Sequence, residues 1–198
     1  MDTTRNISRT TNTIGSLQVI ESALSETDYN NLFSIVVGNQ IAWYYHPMYH
    51  NLELKPNDDG STHGFMHNFF DKEKISSDYI HLIDPIMGKI QSHFGKSLIP
   101  IRVKMNMTLN IGKQVEQYAH IDRKDLLGHG SKWKTAIYYV NDSDGDTLFF
   151  DNEKNIVHRQ TPKANTLVIF DGETYHAPQL PLVTDKRIVI NINVLLDK

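Results

Sequence analysis

The chain's 198 residues, 39% of them hydrophobic and 22% charged, suffice for the core of one domain of ordinary water-soluble composition over 1–198. A formal net charge of −3 excludes a generally basic surface and sets nucleic acid aside as the default partner, while the lack of cysteine excludes disulfides, thiolate nucleophiles and zinc-thiolate sites. No apolar run approaches the roughly 18 residues of a membrane span and no apolar segment marks a secretory leader, so a cytoplasmic protein is expected, without a membrane partner.

Residues 1–14 are rich in Ser, Thr and Asn and are read as a disordered tail. Leu17 to Ile20 is a short strand candidate, and Ser25-Glu26-Thr27-Asp28 supplies the cap and early acids of a helix running to Gly38. Ile41 to Tyr45 reads as extended. The polar stretch 52–62 is read as an exposed connection, with a lid over a substrate groove as the alternative. His46, His50, His63 and His67 have the four-residue spacing of helical zinc clamps, but Pro47 and Asn57-Asp58-Asp59-Gly60 argue against helix there. Ser76-Ser77-Asp78 opens a second helix with an apolar stripe through Tyr79, Leu82, Ile83, Ile86 and Ile90, in which Pro85 requires a kink or a short first turn. Both helices are expected to cover the outer face of the larger sheet.

From Ile101 onward the pattern becomes strand-like. Ile101, Val103, Met105, Met107 and Leu109 alternate with Arg102, Lys104, Asn106, Thr108 and Asn110, and a turn leads into an extended stretch ending at His120. Lys134 to Asn141 is a further strand, followed by Asn141-Asp142-Ser143-Asp144-Gly145-Asp146. That segment lacks the glutamate of a calcium loop and is read as a hairpin turn. Thr166 to Phe170 is a buried strand closed by Asp171-Gly172, with His176 just beyond. His129 and His158 are expected at the surface. In the final strand, Ile188, Ile190, Ile192 and Val194 share one face, and Arg187, Val189, Asn191 and Asn193 the other.

A His-x-Asp triplet such as His120-Ile121-Asp122 is common by chance in a chain with ten histidines. Its context gives it weight. His120, Asp122 and His176 each sit at or beyond a strand end, and two imidazoles with one carboxylate fill one face of an iron(II) ion while leaving the other positions open. Arg187, on a polar strand face suited to a cavity that receives an anion, is the candidate carboxylate clamp; a solvated strand residue is the alternative.

The ordered set His120-x-Asp122, His176 and Arg187, with the strand Lys134 to Asn141 and the stretch Asp144 to Phe150, resembles the iron(II)/2-oxoglutarate-dependent dioxygenases, in their prolyl 4-hydroxylase-like branch. It is most similar to small oxygenases encoded by bacteriophages, which carry a stretch like Trp43-Tyr44-Tyr45; such an origin would place the protein in the host cytoplasm. The resemblance implies a mainly β fold with flanking helices, a double-stranded β-helix (jelly-roll, cupin-like) barrel. It implies Fe(II) held by His120, Asp122 and His176, with 2-oxoglutarate and O2 as co-substrates and Arg187 on the distal carboxylate. Tyr139 matches a tyrosine that helps hold that carboxylate, and Tyr138, of opposite parity, is expected outside the barrel. Where the family often has a tyrosine before the motif, this chain has Thr108 or a neighbour; Thr108 offers a hydroxyl and Asn106 an amide instead.

The implied activity is hydroxylation of a peptidyl residue, proline among the candidates, or of a small metabolite, by a monomer. Trp43, Tyr44, Tyr45, Tyr118 and Trp133 are candidate groove aromatics or simple packing residues. Two rivals stay open: a non-catalytic barrel, such as a sugar-, metal- or partner-binding or virion-associated protein, and a zinc hydrolase using the same three ligands.

Overall fold

The computed structural model describes residues 17–38, 40–47 and 63–197. The expected tail, the 52–62 connection and His50 lie outside these residues. The first strand, β1 (Gln18–Ile20), precedes helix α1 (Glu26–Val37). Ser25 caps the helix by accepting from the Asp28 amide, Glu26 and Asp28 lie in the first turn, and Gly38 ends it in extended conformation. Strands β2 (Tyr44–Pro47), β3 (His63–Asp71) and β4 (Lys74–Ile75) follow. Pro85 resolves as a change of helix type: a 3-10 helix over Asp78–Ile83 hands over to α2 (Asp84–Phe94), with the proline in its first turn where no amide is needed.

The remaining strands are β5 (Leu98–Leu109), β6 (Trp133–Tyr139), β7 (Thr147–Phe150), β8 (Ile156–Gln160), β9 (Thr166–Asp171), β10 (Tyr175–Pro178) and β11 (Lys186–Leu196). They form two antiparallel sheets. The larger has the order β1-β9-β6-β11-β5-β3-β2, with β4 beside β3, and the smaller is β10-β7-β8. Strand period two sorts the apolar residues into two layers. Met105, Ala136, Tyr138, Ile169, Ile190 and Ile192 face α1 and α2, packing on Leu32, Val36, Ile86 and Ile90. Ile137, Tyr139, Val168, Phe170 and Val189 face the small sheet, packing on Phe149. The helices therefore do cover the outer face of the larger sheet.

Two expectations need correction, those for the 141–146 segment and for His158. The 141–146 segment is not a hairpin turn, because β6 pairs with β9 and β11 while β7 pairs with β8 and β10, so it carries the chain from one sheet to the other. Tyr138 does point away from the barrel interior, yet it is fully buried under the helix layer and donates to Asn165 Oδ1. His158 is half-buried and packs on Phe149. Trp133 is fully buried and lines no groove; its ring lies against Gly172, where an added Cβ would stand 2.1 Å from it.

The histidines at four-residue spacing likewise have no shared role among the described residues. His67 is buried between Ala42 O at 2.8 Å and Ser77 Oγ at 2.7 Å, which ties β3 to the start of the second helical segment. Gly172→Ala would push the indole of Trp133 out of its place, an overpacking that should cost about 1–3 kcal/mol. Thermal or urea unfolding followed by circular dichroism measures it, and wild-type stability would contradict the packing described.

Candidate metal centre

Two backbone segments meet at the site. The irregular chain after β5 and the strand β10 are joined where His120 and His176 exchange both backbone hydrogen bonds, N–H to O at 2.9 and 3.0 Å. Antiparallel partners present their side chains to one side, so the two imidazoles stand together, with ring centroids 4.8 Å apart. Each ring is oriented in the same way: His120 Nδ1 lies 3.0 Å from Tyr118 O, and His176 Nδ1 lies 3.0 Å from Thr174 O. A carbonyl only accepts, so both Nδ1 atoms carry the proton and both Nε2 lone pairs face inward.

Asp122 completes the group. Its Oδ1 is 3.7 Å from His120 Nε2 and its Oδ2 3.8 Å from His176 Nε2, and the three donor atoms all fall within 4.8 Å of one another. Among the described residues this is the one cluster of three such side chains. The carboxylate is gripped from behind: Arg102 Nη2 lies 2.9 Å from Oδ1, and Asn193 Nδ2 donates to Oδ2 at 3.0 Å. Asn193 also donates to Thr135 Oγ1, and its own Oδ1 accepts from Arg102 Nε, so the clamp is rigid.

These surroundings fix the protonation states. Burial by itself would raise the Asp122 pKa, but the His120 contact and the neighbouring His176 and Arg102 hold it well below the usual carboxylate range. Burial first, then His120, pushes His176 down to about 4 against the pull of Asp122, so its imidazole is neutral at neutral pH. A buried carboxylate and a neutral imidazole are the forms in which these groups bind a metal. The donor set fits a divalent iron-type ion, and His176 Nε2 is buried without a hydrogen-bond partner among the described residues.

Beyond the triad runs a small, partly open cleft. Its floor is the inner face of β5, with Lys104, Asn106 and Thr108; β11 supplies Arg187 and Val189, and β7 supplies Thr147. Arg187 is 3% exposed. It donates from Nε to Gly145 O at 2.8 Å and from Nη2 to Thr147 Oγ1 at 2.7 Å, and among the described residues it has no ion-pair partner. The crossover loop prepares this position. The Asp144 carboxylate accepts the amides of Leu182, Val183 and Thr184 and the Thr184 hydroxyl, which, against desolvation, keeps its pKa far below normal. Gly145 passes so close that a Cβ would lie 2.5 Å from Gln179 O and 3.2 Å from Arg187 Cδ.

Of the residues singled out in the sequence, His120, Asp122 and His176 converge, and Asn106, Thr108 and Arg187 line the same cleft. Thr108 stands opposite Arg187 in the β5–β11 register, with a buried hydroxyl that has no partner among the described residues. Tyr139 stands one layer back: fully buried, it donates to Thr147 Oγ1 at 2.7 Å and lies beside the Arg187 guanidinium. Sequence reasoning missed Arg102, Asn193, Thr147 and Lys104. The strand parity already placed Arg102 and Lys104 with Asn106, and Asn193 with Arg187; Thr147, at a strand start with no alternation before it, gave no signal.

The sequence matches no protein family model and no curated protein sequence. Solved structures do match in shape. An oxidoreductase of the 2OG-Fe(II) oxygenase family from Burkholderia pseudomallei aligns at TM-score 0.62 and 9% identity, over 90% of this chain and 84% of that one. A prolyl hydroxylase from Trichoplax adhaerens, in complex with a hypoxia inducible factor peptide fragment, aligns at 0.62 and 14% identity, over 93% and 84%. HygX from Streptomyces hygroscopicus, with nickel, 2-oxoglutarate and hygromycin B bound, aligns at 0.61 and 9% identity, over 92% and 83%. Identities this low establish architecture, and on that ground the chain has the double-stranded β-helix fold of the 2OG-Fe(II) oxygenases.

Proposed function

We propose that this protein is an Fe(II)/2-oxoglutarate-dependent dioxygenase that hydroxylates a peptidyl residue or a small metabolite, with succinate and CO2 as co-products. The carrying observation is Arg187, a buried guanidinium without a carboxylate partner among the described residues, in the same cleft as a two-histidine, one-carboxylate cluster. A buried charge left unpaired is costly, so a site that keeps one is built for an anion that arrives later. Neither a zinc hydrolase nor a sugar-binding barrel has a use for it.

His120, Asp122 and His176 would hold the iron, and Arg187 the distal carboxylate of 2-oxoglutarate, with Thr108 and Asn106 flanking it. Tyr139 and Thr147 act through Arg187, fixing its fork so that the dicarboxylate enters in one orientation. The chemistry supplied when iron, 2-oxoglutarate and O2 bind is oxidative decarboxylation coupled to insertion of oxygen into a C–H bond. Because Asp122 is ionised and His176 neutral beforehand, metal binding there needs no prior proton loss. The same reading takes the chain as one domain acting as a monomer in the cytoplasm. The neighbours' ligands support a broad substrate range for the fold: a peptide fragment in one and hygromycin B in another.

Succinate released from 2-oxoglutarate in the presence of iron(II) and air tests this reading. Asp122→Ala should fall to the no-enzyme rate. Arg187→Met should raise the KM for 2-oxoglutarate at least about thirtyfold, matching the ~2–5 kcal/mol lost when one partner of a buried charge pair is truncated. An unchanged KM would remove the co-substrate role of Arg187. Asn193→Leu, which frees one side of Asp122, should weaken iron(II) or cobalt(II) binding about 10–100-fold in calorimetric titration. Wild-type affinity in that variant would show that the clamp behind Asp122 has no bearing on the metal.

A further inference from the structure

Lys104 has no place in the scheme above. Its side chain lines the cleft, and among the described residues it has no hydrogen-bond or ion-pair partner. The charges around it do not balance either. Arg102 is matched by Asp122, and Arg187 would be matched by the far carboxylate of the co-substrate, whose other end meets the metal. Lys104 remains as surplus positive charge. Burial, and then Arg102, pushes its amine down to about 8 against the weaker opposing pull of Asp122 and Asp71.

Its position separates it from the co-substrate clamp. Along the inner face of β5, Arg102 grips Asp122 and Thr108 stands opposite Arg187. Lys104 is one inward position from the first, about 7 Å, and two from the second, about 13 Å. It therefore belongs to the metal end of the cleft. In the sheet register its neighbours are Asn68 on β3 and Asn191 on β11. Asn191 is 7% exposed, and its Oδ1 is buried without a partner. A lysine without a donor contact is therefore the cross-strand neighbour of an asparagine whose acceptor oxygen is unpartnered, both among the described residues. The adjacent row on the same face runs from Asn106 through Met66 to Tyr44, which is 63% exposed.

We propose that the primary substrate is a small free carboxylic acid of the amino-acid class, its carboxylate paired with Lys104 and its ammonium facing Asn191. This rests on the oxygenase reading and narrows it. A lone ammonium is a point charge that suits one carboxylate, whereas a phosphate group draws on several donors. Lys104 is thus a specificity-determining residue at the oxidised end of the cleft.

The test uses the iron-loaded protein. Binding of 2-oxoglutarate is followed anaerobically by the visible charge-transfer band of its iron(II) complex, and succinate release in air is followed with the common free L-amino acids and, side by side, their carboxamides. At least one acid should speed succinate release about tenfold or more while its amide does not. Lys104→Met should lose that stimulation with the 2-oxoglutarate dissociation constant within about threefold of wild type, and Lys104→Arg should keep part of it. Three results would overturn the proposal: amides as effective as acids, no stimulation by any acid, or an increase of about tenfold or more in the 2-oxoglutarate dissociation constant of Lys104→Met, which would give the lysine to the co-substrate. Absence of the band in the wild-type protein would instead sink the oxygenase reading itself.

Discussion

The paired backbone bonds between His120 and His176 are the constraint on which the site depends. They join a segment without regular strand structure to the small sheet, and nothing in local propensity would hold His120 there. Once they form, the rings are side by side, the carbonyls of Tyr118 and Thr174 fix their tautomers, and Asp122 two residues on meets both. The long β5–β11 ladder contributes the other half, since it places Arg102 and Asn193 opposite one another and so fixes the carboxylate from behind. Backbone pairing thus sets the geometry, and the side chains inherit it.

The barrel interior is divided by charge. Toward one end lies the apolar cluster of Ile137, Phe149, Val168 and Phe170; beside it lie two arginines, a lysine and the triad. Keeping cations in such a place requires fixed acceptors, and the chain provides them from the crossover between the sheets. Asp144 pins the segment before β11, Gly145 allows the close approach, and its carbonyl takes the Arg187 Nε. A loop that looks like an ordinary acidic turn is therefore part of the anion site's scaffold.

Much of this was legible in the sequence. Period-two alternation in Ile101 to Asn110 and in Lys186 to Leu195 separated core face from site face correctly, because one side of each strand packs on helices and the other on the cleft. The capped first helix and the break that Pro85 imposes on the second followed from local rules, whereas the triad needed its order along the chain and the family resemblance. What local rules missed was long-range. The 141–146 segment has hairpin chemistry, yet its flanking strands pair elsewhere, so a nearest-neighbour reading joined them wrongly. Trp133 could be read as a groove aromatic or as a packing residue, because its burial depends on Gly172, far along the chain. Tyr139 reaches the same neighbourhood, sharing Thr147 Oγ1 with Arg187 and lying beside its guanidinium.

The measurement that bears most directly on this account is anaerobic addition of iron(II), then 2-oxoglutarate, to metal-free protein, observed by visible absorption. The account predicts a charge-transfer band that requires both components and is abolished by Asp122→Ala. Tight iron binding with no band on adding 2-oxoglutarate would contradict it, because a triad and a buried Arg187 in one cleft would then have to serve some other ligand.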